Sequence, residues 1–258
     1  MSTRLPDGST SAPRHRPAAV RARGLKKVFG AGDAAVHALR GVDVDFAASA
    51  FTAIMGPSGS GKSTLLYLLA GLETPTAGHV ELAGHTLTAM DDDALTVLRR
   101  DHVGFVFQAF NLLPMFSARE NILLPVQLAG AKLDQGWFDG IVEVLGITDR
   151  LSHRPSELSG GQSQRVAIAR AMVMRPDVIF ADEPTGNLDS RAGHEVLGFL
   201  RQSVRQLGQT VVMVTHDPAA AAYASRAVLL ADGRLAGDIA DPTPETVLAG
   251  LDALRAAV

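Results

Sequence analysis

Residues 56–64 read Gly-Pro-Ser-Gly-Ser-Gly-Lys-Ser-Thr, and this spacing matches G-x-x-x-x-G-K-[S/T]. Gly59 and Gly61 let the backbone curl so that successive N–H groups face phosphate oxygens. Lys62 adds a point charge for the β- and γ-phosphates, and Ser63 a hydroxyl for Mg²⁺. The whole loop (Gly56, Pro57, Ser58, Gly59, Ser60, Gly61, Lys62, Ser63 and Thr64) is the expected nucleotide-binding segment. About a hundred residues later, "LSGGQSQRVAIARA" (158–171) opens a second helix with Ser159, Gly160, Gly161 and Gln162. A serine and two glycines at a helix start also present N–H groups to an anion. The chain thus carries two candidate phosphate cradles.

Asp182 and Glu183 end an apolar run. Beside a phosphate loop, an aspartate at a strand end is suited to holding Mg²⁺ through water. A glutamate one residue on points the other way and is suited to orienting the attacking water. Gln108 and His216 end two further apolar runs. Each has a plain alternative, a surface amide and a helix-start histidine. On one sheet edge with the loop, Gln108 would offer its amide oxygen to Mg²⁺ or water, and His216 a ring N–H to the γ-phosphate. Phe29 reads either as a stacking platform for adenine or as a core aromatic.

These groups need a scaffold that brings them together. "TAIM" (52–55), "VGFVF" (103–107), "DVIFA" (177–181) and "VVMV" (211–214) are short continuous apolar runs, which suit strands buried on both faces of a parallel sheet. Helical patterns over 61–71, 161–175, 190–206 and 217–224 separate them. That alternation predicts a doubly wound α/β domain, in which ligands bind at the carboxyl ends of the strands. Towards the start, "LKKVF" and "VHALRGVDVDF" alternate as antiparallel strands do, with Gly24, Gly30 and Gly32 as breaks. Patterns over 91–101, 117–129 and 134–146 predict an inserted helical lobe, about 88–170 once the second cradle is included. A last helix puts Val247, Leu251, Leu254 and Val258 on one stripe. Residues 1–19, rich in Pro, Ser, Thr and Arg, read as a disordered tail before one domain over 20–258.

Composition excludes more than it assigns. A net charge of −3 offers no electrostatic reason to expect nucleic acid as a partner. With no cysteine there is no disulfide, cysteine metal site or thiol catalysis. No apolar run approaches the roughly 20 residues needed to span a bilayer.

In order, "GPSGSGKST", Gln108, "LSGGQ", "VIFADE", "GNLD" (186–189) and "THD" resemble the nucleotide-binding subunits of ABC transporters over about residues 22–235. "FVFQAFNLLP", "ENILLP" and "ADEPTGNLDS" resemble the branch serving macrolide export, lipoprotein release and the FtsE-like system. The resemblance implies a P-loop NTPase core with a mainly parallel sheet, an N-terminal antiparallel β part and an inserted helical lobe. It also implies ATP and Mg²⁺ as ligands and an ATPase activity. A head-to-tail homodimer would set the phosphate loop of one copy against Ser159, Gly160 and Gly161 of the other, with Asp189 near the interface. An integral membrane permease would be the partner at the cytoplasmic face of the membrane. Phe110, Leu112, Leu113 and Phe116 would then border a groove for a helix of that permease, if they do not fold inward. FtsE-like signalling without transport stays open as the alternative. DNA-repair or translation ATPases are disfavoured, because the chain has neither a long coiled-coil insert nor a second cassette. Three departures stand out: Ser163 for the usual glutamine, Ser49-Ala50 for a Gly-Glu pair, and Phe29 for a commoner tyrosine.

Overall fold

The computed structural model describes residues 18–256. Two sheets share one helix between them. The first sheet is antiparallel, in the order β2-β1-β4-β5: β1 Ala18–Phe29, β2 Val36–Ala47, β4 Ala77–Leu82 and β5 His85–Thr86. The second has the order β10-β9-β3-β8-β7-β6: β3 Phe51–Met55, β6 Val103–Val106, β7 Val178–Asp182, β8 Val211–Val214, β9 Arg226–Ala231 and β10 Arg234–Ala240. Strands β6, β7, β8, β3 and β9 run parallel, and only β10 is antiparallel to its neighbour.

Continuous apolar strands form here because both faces are covered. Successive side chains point to opposite faces. Accordingly Ala53, Met55, Ile179, Ala181, Val211 and Met213 join one core, and Ile54, Val178, Phe180, Val212 and Val214 join the other. The second core is closed by helix α1, Lys62–Leu69, whose Leu65, Leu66, Leu68 and Leu69 are buried between the two sheets. The first core is closed by α5, Gly160–Met172, and α6, Ser190–Leu207.

Several expectations shift by physical cause. Strand β1 begins at Ala18, so Ala18 and Ala19 of the expected tail pair with the sheet; the rest of that tail lies outside the described residues. Gly24 does not break β1. It has φ +56° at an irregularity in the register, and its N–H donates to Asp43 Oδ1 at 2.8 Å. Helix α2, Asp92–His102, was expected in the helical lobe, but its Leu98 is buried in the core that holds Leu69 and Phe180. Between β6 and β7 come α3 (Ala118–Leu128), α4 (Gln135–Val144) and α5, and their Ile122, Phe138 and Val166 join the first core. The expected helix over 217–224 shortens to α7, Pro218–Ala221. The final helix is α8, Pro244–Ala256; Val247 is buried, Leu251 and Leu254 pack against the first core, and Val258 lies outside the described residues. Among the described residues no helix is long and apolar enough to cross a membrane.

Candidate nucleotide site

The four parallel strands β3, β6, β7 and β8 end on one edge. Gly56, Phe107, Glu183 and Thr215 are the first residues past them. The backbone at Gly56 has φ +151°, and a Cβ there would overlap the carbonyl oxygen of Leu230 at the end of β9. At Gly61, φ +99°, a Cβ would overlap the carbonyl oxygen of Ala38. Gly59 also has positive φ, +79°, but faces open space. Two of the three glycines are thus required by close backbone approach as well as by conformation.

Lys62 opens α1 and folds back over the loop, its Nζ donating to the carbonyls of Gly56 at 3.0 Å and Pro57 at 2.8 Å. Burial pushes the Lys62 ammonium below the usual lysine range, and the charges of Glu183 and Asp182 pull it back. At the next position of α1, Ser63 Oγ donates to Asp182 Oδ1 at 3.2 Å. Ser60 Oγ is buried beneath the loop without a hydrogen-bond partner. The residues present fit a hard divalent cation. A hydroxyl and a carboxylate oxygen meet at one point, and Mg²⁺ binds through few protein oxygens together with water and phosphates. Among the described residues no group of three or more His, Cys, Asp or Glu gathers to hold a metal by itself.

Glu183 takes φ +49°, a left-handed conformation uncommon outside glycine. This turn carries its side chain off the sheet to His216, with Nδ1 2.8 Å from Glu183 Oε2. Gln108 is exposed and lies in a different set of contacts. Its Nε2 donates to Asn187 Oδ1 at 3.1 Å, and Asn187 Nδ2 returns a bond to the Gln108 carbonyl at 3.1 Å. The structure therefore joins Ser63 to Asp182 and Glu183 to His216, and leaves Gln108 with Asn187.

Phe29, at the end of β1, is 41% exposed and belongs to neither core, with Lys27 Nζ 4.8 Å from its ring centre. The core-aromatic reading of Phe29 is thereby corrected: its ring is available at the surface.

The second cradle sits at the start of α5. Ser159 Oγ accepts from the Gln162 N–H at 3.3 Å, and Gln162 Oε1 accepts from the Ser159 N–H at 2.9 Å, a reciprocal capping box. Ser159 and Gly160 are exposed. Among the described residues no hydrogen bond or ion pair links 159–162 to 56–64. Asp189 caps α6 by accepting from the Ala192 N–H at 2.9 Å.

Three contributors were not anticipated. Gln164, fully buried on α5, donates from Nε2 to the carbonyls of Phe107 (3.2 Å) and Pro184 (2.7 Å), tying together the segments that carry Gln108 and Glu183. Asn121 is buried on α3 and binds the backbone at Leu113, Phe116 and Ser117, fixing the loop beyond Gln108. Tyr67 donates to Asp182 Oδ2 at 2.7 Å; burial first, and that bond second, push its phenol up to about 12. A buried polar residue inside an apolar helical pattern was the only available signal, and it names no partner.

The apolar loop after Gln108 divides. Leu112 packs against the first core, whereas Leu113 and Met115 are exposed. A groove of about 270 Å³ lies nearby, but Phe105, Leu124, Pro125, Leu128, Arg170 and Met174 line it in place of Phe110, Leu113 or Phe116. Arg170 donates to the carbonyls of Phe110 and Asn111, which holds that loop at the groove's rim.

Comparison with known proteins fits this geometry. The sequence profile of the ABC transporter family matches residues 39–186. The chain belongs to the ABC transporter family. It is 46% identical over 236 residues to the macrolide export ATP-binding/permease protein MacB of Rhodopseudomonas palustris, covering 91% of this chain and 36% of that protein. It is 46% identical over 222 residues to the lipoprotein-releasing system ATP-binding protein LolD of Anaeromyxobacter dehalogenans, covering 85% of this chain and 93% of that one. The chain thus spans about a third of the length of its macrolide-export relatives and nearly all of the lipoprotein-release one. A dimeric post-hydrolysis structure of the cassette MJ0796 bound to ADP and Pi superposes with a TM-score of 0.75 at 39% identity, covering 86% of this chain and 98% of that chain. A further dimeric structure of the same cassette gives 0.76. Within the cassette, Ser49 takes φ +52°. Its N–H donates to Thr210 Oγ1 at 3.0 Å and its Oγ to the Gly208 carbonyl at 2.9 Å. Ser163 is buried within α5.

Proposed function

We propose that this cassette hydrolyses Mg²⁺-ATP as a head-to-tail pair and couples that cycle to a membrane permease, for export or extraction. The carrying observation is the pairing of contacts at the sheet edge: Ser63 with Asp182, and Glu183 with His216. The phosphate loop and Lys62 hold the β- and γ-phosphates, and Phe29 offers its exposed ring to adenine. Ser63, Asp182 and Gln108 are the residues that would hold the cation, which would neutralise phosphate charge. Glu183 orients a water, whose oxygen attacks the γ-phosphorus as the bond to the bridging oxygen breaks, and takes up its proton. His216 donates a ring N–H to the γ-phosphate.

The second cradle supports a shared site. Ser159 and Gly160 are exposed, and nothing within the chain ties them to the phosphate loop. Ser159 Oγ takes the Gln162 N–H, but the Gly160 and Gly161 N–H groups have no intrahelical acceptor and suit an anion brought by another copy. The dimeric structures of a relative at 39% identity support pairing of two copies. The apolar groove, with Leu128 79% exposed at its wall, supports docking of a permease helix at the cytoplasmic membrane face.

A mixture tests the shared site. Lys62→Ala keeps the second cradle and loses the first; Ser159→Arg does the reverse. Each alone should neither dimerise with ATP nor hydrolyse it, and mixing them should restore dimerisation through one complete site. If the folded variants stay monomeric when mixed, each chain uses both cradles itself and the head-to-tail reading fails.

A further inference from the structure

Asp182 has one partner that the phosphate chemistry does not require. Tyr67 stands four residues after Ser63 on α1, so both side chains leave the same face of the helix. Their hydroxyls divide one carboxylate between them, Ser63 taking Oδ1 at 3.2 Å and Tyr67 taking Oδ2 at 2.7 Å. The Tyr67 ring lies against Phe105, with centroids 5.9 Å apart at a tilt of 42°. Phe105 in turn contacts Phe107 at 4.4 Å and Phe180 at 6.4 Å. Phe105 also forms part of the groove wall with Leu124, Leu128 and Met174. A carboxylate turns easily about its last torsion, which is broad and two-fold. A donor on each oxygen removes that freedom.

We infer that Tyr67 is a positioning residue: its hydroxyl holds the Asp182 carboxylate in the orientation a divalent cation requires, and its ring ties that orientation to the groove through Phe105. The inference rests on the proposed role of Asp182 in holding the cation. A partner that repacks Phe105 would shift the Tyr67 ring and, through the hydroxyl, Asp182. The groove and the nucleotide site would then be linked by two side chains, without movement of the sheet.

The test uses the full chain with a non-hydrolysable ATP analogue and Mn²⁺ as the spectroscopic stand-in for Mg²⁺. Tyr67→Phe keeps the ring and removes one bond to a charged acceptor, so Mn²⁺ half-saturation read by electron paramagnetic resonance should rise about 5- to 10-fold. Affinity for the analogue in EDTA should stay within about twofold, since the phosphate loop is untouched; a general structural loss would lower both. Phe105→Leu should raise Mn²⁺ half-saturation about two- to threefold, and the double variant should show less than the product of the two effects, because the Phe105 effect passes through the Tyr67 hydroxyl that Tyr67→Phe removes. Wild-type Mn²⁺ half-saturation in Tyr67→Phe overturns the positioning role, as does an equal loss with and without metal. Full multiplicativity in the double variant overturns the link through Phe105. If the wild-type protein itself binds no Mn²⁺ with the analogue, the cation reading of Asp182 fails, and this inference with it.

Discussion

His216 Nδ1 lies 2.8 Å from Glu183 Oε2, so two groups 33 residues apart in the chain face each other across the ends of β7 and β8. The pairing requires the left-handed turn at Glu183, whose N–H donates to the Val214 carbonyl at 3.0 Å. It sets the proposed water-orienting carboxylate against the proposed phosphate donor.

Removing the carboxylate while keeping its shape separates binding from turnover. Glu183→Gln should retain ATP affinity and lower turnover by about 10²-fold or more, as loss of a general base does. His216→Ala should also lower turnover while leaving ATP affinity largely intact. Steady-state phosphate release and equilibrium nucleotide binding on the same preparations measure both. A Glu183→Gln protein that turns over at the wild-type rate assigns the water to another group.

The three loop glycines should not respond alike. Gly59→Ala faces open space and should cost about 1–2 kcal/mol, the strain of a left-handed Cβ. Gly56→Ala must in addition push aside the Leu230 carbonyl, a backbone atom of the neighbouring strand. It should lose nucleotide binding and much more stability than Gly59→Ala. Chemical denaturation of the two variants checks the order.

Gln164 is a stability residue with reach into the site. Gln164→Leu leaves the carbonyls of Phe107 and Pro184 without their shared donor, and each buried unsatisfied group costs about 1–3 kcal/mol. Urea unfolding should show a loss in that range or above, and limited proteolysis should find the segment around Gln108 more accessible. An unchanged unfolding midpoint would mean that water replaces the amide.

The Tyr67 phenol, pushed from 10.0 up to about 12 by burial and by Asp182, carries a pH signature. The folded state keeps this proton longer than the unfolded chain does. Its contribution to stability is therefore complete below pH 10 and is lost as pH rises through about 12. In magnesium-free buffer the unfolding midpoint should fall across that window more steeply for the wild type than for Tyr67→Phe. Absorbance at the phenolate band, compared between the two proteins, should assign a late-titrating tyrosine to position 67.

By itself the sequence determined what local chemistry can express. The phosphate loop, the acidic pair after an apolar strand and the capped glycine helix start each lie within a few residues, and each is set by backbone geometry that only certain residue types permit. The strands β3, β6, β7 and β8 were equally legible, since burial on both faces leaves an uninterrupted apolar run. Strand β10 was not, because it is a largely exposed edge and carries no such run. Helix α2 shows the same limit: its periodicity marks a helix, yet only packing decides that Leu98 joins the core of Leu69 and Phe180. The tertiary structure alone decided which polar groups meet. Ser63 and Tyr67 reach Asp182 more than a hundred residues away, His216 reaches Glu183, and Gln108 instead takes Asn187. Hydrogen bonds are directional and short, so partnership depends on strand order and helix rotation, which only the packing of both cores sets.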